Sequence, residues 1–278
     1  MTSTALGWSD GRWGRADDLG LPLTDRGLQL ADGLFETVLV LKGTAQLLNE
    51  HLQRWQHSAA LLGMAAPPQG PWLMTLIEEA IARAGLHAEE MAGALRLNWS
   101  RGSISSRGIS VPAGDPDGRQ HRFWLTVQPC QLNFEPARAW LSSQEQRNIT
   151  SVLSSCKTLA YGQAIQARRE AQSHGAELGL LRNTRGELCC GDSANLLVQR
   201  HDEWITPPLS SGCLPGVMRA RALNLKLIRE LSLGPELRAD DQVLLINSLS
   251  CRPLQQVNAM TLQPHPDAER LWRQLISS

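Results

Sequence analysis

Lys157 is the first residue whose setting suggests chemistry. It closes Ser151-Val152-Leu153-Ser154-Ser155-Cys156-Lys157, which reads as the end of a strand before a helical segment. A lysine desolvated there can lose its proton and act as a nucleophile or base, although most lysines are solvated surface groups. Pro215-Gly216-Val217-Met218-Arg219 reads as a tight turn into a helix. Its N–H groups at Val217 and Met218 suit a phosphate, or simply begin a helix. Arg54, in His51-Leu52-Gln53-Arg54, is a phosphate clamp or a solvated cation. Arg101 and Arg107 flank a flexible stretch, where they grip a carboxylate bidentately or keep a loop in solution. The six cysteines form no C-x-x-C pair and the seven histidines no H-E-x-x-H, so no metal site is indicated and reduced, mostly buried thiols are expected.

The elements that must position these residues follow from periodicity and punctuation. Phe35–Val40 predicts a strand, with Lys42-Gly43-Thr44 turning a hairpin onto Ala45–Leu48. Asn49 reads as the N-cap of a helix to about Leu62, and a second helix runs from Pro71 to Ala84 before Gly85. Leu95–Trp99 and Phe123–Val127 predict strands around a long Gly/Ser/Pro/Asp-rich loop from Gly102 to Gly118, a length that often marks function. A helix from about Ala160 to His174 carries a small-residue stripe at Ala160, Ala164, Ala167 and Ala171. Leu178–Leu181, Asn195–Val198 and Trp204–Thr206 predict further strands. A helix opening at Pro215 is expected to reach about Leu233, and Gln242–Ile246 is expected to be the last strand. Strands and helices in two blocks indicate α+β. The domains are expected at 1–128, smaller and N-terminal, and 137–278, larger and carrying Lys157, with 129–136 as linker.

The 278 residues allow two domains, and 42% hydrophobic content suffices for a core. Net charge is +0, so no basic field exists to draw nucleic acid or anionic lipid. The opening residues lack a basic and then apolar leader, and no apolar run approaches membrane-spanning length. A cytoplasmic protein without nucleic-acid or membrane partners is expected.

Taken in order, several motifs resemble one family. Asp25-Arg26-Gly27-Leu28 through Ala31-Asp32-Gly33-Leu34-Phe35-Glu36-Thr37, then His51-Leu52-Gln53-Arg54, Lys157-Thr158-Leu159 with Tyr161, Gly191-Asp192-Ser193-Ala194-Asn195-Leu196-Leu197, Thr206–Gly216 and Asn247-Ser248-Leu249 are similar to the motifs of fold-type IV pyridoxal-phosphate (PLP) enzymes. That family comprises branched-chain and D-amino-acid aminotransferases and 4-amino-4-deoxychorismate lyases. The resemblance, from about Asp25 to Leu254, implies a two-domain D-amino-acid-aminotransferase-like fold and a homodimer acting on a small-molecule amine. It implies that Lys157 carries PLP and that Arg54, Tyr161, Cys190, Ser193, Leu214, Val217, Met218 and Ser248 surround it, with Arg101 and Arg107 at the substrate.

Three positions depart from the family pattern. Cys190 stands where the family has a glutamate paired with the pyridine nitrogen of PLP, and Glu187 lies three residues earlier, on the opposite face of an alternating strand. Met218 replaces a phosphate-loop threonine, and Leu39 an arginine of many members. Ser100-Arg101-Gly102 with Arg107-Gly108 resembles a lyase element, which implies release of 4-aminobenzoate and pyruvate for folate synthesis. A thiol is a poor partner for a pyridinium. Transamination leans on a protonated ring nitrogen more than aromatising elimination does, so Cys190 also favours the lyase expectation over the aminotransferase alternative. A relative that has lost catalysis is the third possibility.

Overall fold

The structure is a computed structural model in which residues 5–88, 91–103, 108–111 and 115–277 are described. By internal contacts the chain divides into two units, Met1–Gln131 with Lys157–Ala160, and Leu132–Cys156 with Tyr161–Ser278.

The first unit contains β1 (Leu6–Ser9), β2 (Arg12–Arg15), α1 (Arg26–Leu30), β3 (Gly33–Leu41), β4 (Thr44–Ala45), α2 (Leu48–Leu61), α3 (Pro71–Arg83), β5 (Ala92–Ser100) and β6 (Arg122–Cys130). The strands form one antiparallel sheet in the order β2-β1-β6-β5-β3-β4. Alternation gives the sheet two different faces. Leu34, Val38, Leu95, Leu97, Leu125 and Val127, all fully buried, share the face on which α2 packs against β3. By register, Phe35, Thr37, Arg96, Asn98, Trp124 and Thr126 share the other. The β3–β4 turn has positive φ at Lys42 (51°) and Gly43 (74°), as a tight hairpin on twisted strands requires.

The second unit contains β7 (Ala137–Arg147), α4 (Gly162–Ser173), β8 (Leu178–Asn183), β9 (Leu188–Gly191), β10 (Asn195–Arg200), β11 (Glu203–Thr206), α5 (Val217–Asn224), β12 (Arg229–Glu230), β13 (Gln242–Asn247), β14 (Ser250–Val257), β15 (Met260–Thr261) and α6 (Ala268–Ser277). Strands β10-β13-β14-β7-β8-β9 are paired in sequence, and β9 pairs back onto β10 through Cys190 and Asn195, so the ring closes. Its apolar core includes Ala139, Leu180, Leu196, Val243, Leu245 and Leu254. The fold is α+β.

Several local expectations fail for identifiable reasons. Asn49 lies inside α2; the buried Leu48 begins the helix and Leu47, with φ 52°, turns into it. Pro129 and Cys130 belong to β6, paired with Gly93 and Ala92, rather than to a linker. Residues Val152–Ser155 form a 3-10 turn capped by the Ser151 hydroxyl, not a strand. Helix α5 stops at Asn224 because Lys226 takes the left-handed conformation (φ 56°) and the Leu227 N–H bonds to Ala222 O at 2.9 Å. That closure normally uses glycine, so the sequence does not announce it. Strand β13 is followed by β14, β15 and α6.

Candidate active site

Lys157 belongs to the first unit, where its segment runs beside the start of β3. Phe35 N–H donates to Lys157 O, and Leu159 N–H to Gly33 O, both at 2.9 Å. The approach requires Gly33, where a Cβ would stand 2.7 Å from Leu159 Cδ1 and 2.7 Å from Trp99 O. The glycine of the Ala31–Thr37 motif is therefore the seat on which the lysine segment rests. Lys157 is half-buried, with Nζ 4.3 Å from the Phe35 ring centroid. The Arg96 guanidinium lies over the same ring at 3.6 Å, and its Nε donates to Asn98 Oδ1 at 2.8 Å. Arg96 was not singled out in the sequence. Its signal is an R-x-N alternation on β5, legible only once β5 is registered against Phe35.

The rest of the opening motif is scaffolding. Asp25 caps α1 by accepting from Gly27 N at 2.8 Å and takes the Ser100 hydroxyl at 2.8 Å. Asp32 accepts from Arg26 Nε at 2.7 Å and Arg101 Nε at 3.0 Å. The other Arg101 nitrogens donate to Gly63 O at 2.8 Å and Leu62 O at 2.9 Å. Arg101 thus acts as an internal strut, tying Asp32 to the end of α2. Arg107 lies outside the described residues.

Glu36 is buried on the helix face with His51 and Arg54 of α2. Its carboxylate accepts from Arg54 Nε at 2.8 Å and NH2, and meets His51 Nδ1 at 2.7 Å. Burial works to raise the Glu36 pKa, but the Arg54 charge and the bonds from His51 and Arg54 prevail and hold it at about 2. The pair fixes the plane of the Arg54 guanidinium, as an anion clamp requires. Leu39, at the family's arginine position, is 1% exposed and part of the core.

In the second unit, Leu181, Cys190, Asn195 and Ile246 form a cross-strand row. Asn195 Nδ2 donates to Leu214 O at 2.9 Å, and its Oδ1 stands 1.9 Å from where a Cβ on Gly216 would be. This ties the Leu214–Gly216 loop to β10 and sets the start of α5. There Val217 and Met218, both buried, supply helix N-terminal N–H groups; Met218 brings no hydroxyl. Ser248 is half-buried in the turn after β13, where Leu249 N donates to Asn247 Oδ1 at 2.8 Å. Tyr161, half-buried, directly precedes α4. Ser193 is exposed and bonded to Asp192 at 2.9 Å and Arg168 at 3.3 Å. Glu187 accepts from Asn183 at 2.9 Å and Ser232 at 2.7 Å, and these bonds lower its pKa. It is engaged away from the Cys190 row.

The sequence profile described as amino-transferase class IV matches residues 33–257. The chain belongs to the class IV aminotransferase family. A Schizosaccharomyces pombe protein, provisionally named an aminodeoxychorismate lyase, is 31% identical over 220 residues, covering 77% of this chain and 85% of its own. A D-alanine aminotransferase of Bacillus licheniformis is 24% identical, covering 78% and 73%. A hypothetical aminotransferase from Mycobacterium tuberculosis in a PLP-bound form superposes with a TM-score of 0.81 at 23% identity, over 98% of this chain and 99% of that one. The last likeness is one of fold.

Class IV aminotransferases unite two kinds of chemistry, transfer and lyase, and this chain's residues suit their common requirement. An amine stands half-buried on an aromatic ring, a fixed guanidinium is held by Glu36, and the loop before α5 is tied down at a helix N-terminus. Among the described residues no helix is long and apolar enough to cross a membrane, and no cluster of metal-ligating groups occurs.

Proposed function

We propose that this protein is a PLP-dependent 4-amino-4-deoxychorismate lyase releasing 4-aminobenzoate and pyruvate. The observation that carries the reading is Lys157, pinned along β3 with Nζ over Phe35 and the Arg96 guanidinium over the same ring. PLP, when bound, draws electrons from the carbon skeleton of an attached amine. Lys157 anchors the cofactor at rest, then serves as the base that accepts the ring C–H proton of the substrate. Arg96 pairs with a substrate carboxylate beside it. Arg54 and the N–H groups of Val217 and Met218 hold the phosphate, with Tyr161, Ser193, Leu214 and Ser248 lining the cofactor. The 31% identical fission yeast relative supports the lyase over its neighbours. Assembly as a homodimer in the cytoplasm completes the reading.

An aminotransferase is the second reading, favoured by the same pairing. A carboxylate on Arg96 next to an amine at Lys157 also describes an α-amino acid. Two measurements separate these outcomes. Purified protein with PLP should show a visible band that borohydride abolishes and that Lys157→Ala lacks; its persistence in that variant would refute the lysine assignment. Pyruvate release from 4-amino-4-deoxychorismate should then exceed amino transfer to 2-oxo acids, and the opposite order would make the protein a transaminase.

A further inference from the structure

Phe35, Asn98 and Trp124 stand directly opposite one another across β3, β5 and β6. Arg96 lies two residues from Asn98 on β5, so the two side chains share a face. Arg96 pairs in register with Thr37, and its guanidinium covers the Phe35 ring two residues along β3. Asn98 is 1% exposed.

The buried amide makes two bonds. Its Oδ1 accepts from Arg96 Nε at 2.8 Å, and its Nδ2 donates to the Trp124 carbonyl at 3.3 Å. Chemistry fixes which way the amide faces. A guanidinium Nε only donates and a carbonyl oxygen only accepts, so the Asn98 oxygen must face Arg96 and its nitrogen Trp124. A side chain of similar shape cannot do both. Asn98→Asp would set a second oxygen against the Trp124 carbonyl, and Asn98→Leu would offer no acceptor. An amide carries no charge, so it turns the guanidinium without neutralising it. Arg54 and Arg101 in the same unit show the contrasting case, in which Nε is held by a carboxylate, that of Glu36 or Asp32.

We propose that Asn98 is the positioning residue for Arg96: its neutral hydrogen bond to Nε fixes the guanidinium over Phe35, so that a substrate carboxylate is met at the terminal nitrogens by a full positive charge. This rests on the reading of Arg96 as the carboxylate's partner, and it adds a selectivity to that reading. With Nε committed to Asn98, the side-on approach, in which a carboxylate bridges Nε and one terminal nitrogen, is closed. The end-on approach, bridging both terminal nitrogens, is selected, and the guanidinium plane sets the plane of the carboxylate. A neutral amide in place of that carboxylate gains no charge pairing and is disfavoured.

The test uses PLP-loaded protein and two probes of nearly equal shape, pyruvate and its neutral analogue pyruvamide. Pyruvate is the lyase product and also an amino acceptor, so the comparison holds under either reaction. Titration calorimetry should show wild type binding pyruvate more tightly than pyruvamide. Asn98→Ala should weaken pyruvate roughly tenfold, the value of a hydrogen bond to a charged group, and leave pyruvamide unchanged. In an Arg96→Gln background Asn98→Ala should change neither probe, because Asn98 acts through Arg96. Asn98→Asp, which turns the neutral bond into an ion pair, should weaken pyruvate at least as much as Asn98→Ala, and it carries the test if Asn98→Ala does not fold. Equal loss of both probes, or a loss of pyruvate as large without Arg96 as with it, marks a merely structural residue and overturns the proposal. Pyruvate affinity kept in Asn98→Asp overturns it too. Protein that takes up no PLP yet keeps the expected pattern refutes the cofactor reading and leaves the positioning role standing; protein that takes up PLP but binds the two probes alike does the reverse.

Discussion

Glu36 shows how a single side chain ties stability to a candidate site. Its carboxylate is buried and is compensated from α2 by His51 and Arg54. Arg54→Ala should therefore do two things: weaken PLP binding by about 1.5–3 kcal/mol, and cost about 3–5 kcal/mol of stability by stranding a buried charge. Denaturant melts of Arg54→Ala and of Glu36→Gln/Arg54→Ala separate them, because the double variant should recover most of the stability and none of the PLP affinity. Arg96 has a different signature. Arg96→Gln should raise KM for a carboxylate substrate by roughly tenfold or more with a smaller change in kcat, as loss of a ground-state ion pair does; a fall in kcat alone would place Arg96 elsewhere. Lys157 stands out as a candidate in the sequence because its motif is contiguous. Arg96 does not, because what marks it is the Phe35 ring from another strand.

At the level of elements, glycines position the lysine segment and the helix start. Gly33→Ala places a methyl against Leu159 and against the Trp99 carbonyl, which cannot swing aside. About 1–3 kcal/mol of destabilisation is expected, with loss of the borohydride-sensitive band before the fold is lost, since the segment displaced from beside β3 carries Lys157. An unchanged band at full PLP would show that the seat is not needed. The helices α2, α3 and α4 and the strands β3, β5 and β6 were legible from periodicity to within a few residues. The bulge in β9 was not, because an extra residue leaves no compositional mark. Nor was the end of α5, where lysine takes the place usually filled by glycine.

Across the whole molecule, each unit holds one strongly depressed glutamate. Glu170 on α4 feels burial raising its pKa, but bonds from Ser142, Ser143 and Trp140 outweigh this and hold it at about 2, as Arg54 and His51 do for Glu36. Both contributions are complete above the unfolded value near 4.5 and are lost as pH falls toward 2. For Glu36 alone the loss is roughly 3 kcal/mol. Denaturant midpoints should be flat at mildly acidic pH and fall steeply below it, with a shallower fall in Glu36→Gln. The α+β class was legible from alternating segments. The ring of strands was not, because β14 with β7 and β10 with β13 pair across long stretches of chain that no local pattern encodes. β9 and β10 close that ring through the pair Cys190 with Asn195 and the bond from Gly191 N–H to Ala194 O at 2.9 Å, beside the bulge. That hoop has a short, bulged ladder at β9, so backbone amides of β9 should exchange with deuterium sooner than those of β13 and β14. Asn195 also grips the loop before α5, so an anion settling on that loop would fasten the hoop more firmly. Inorganic phosphate, far simpler than any substrate, should slow exchange in β9, and a barrel equally protected with and without it would show that the clasp and the loop act apart.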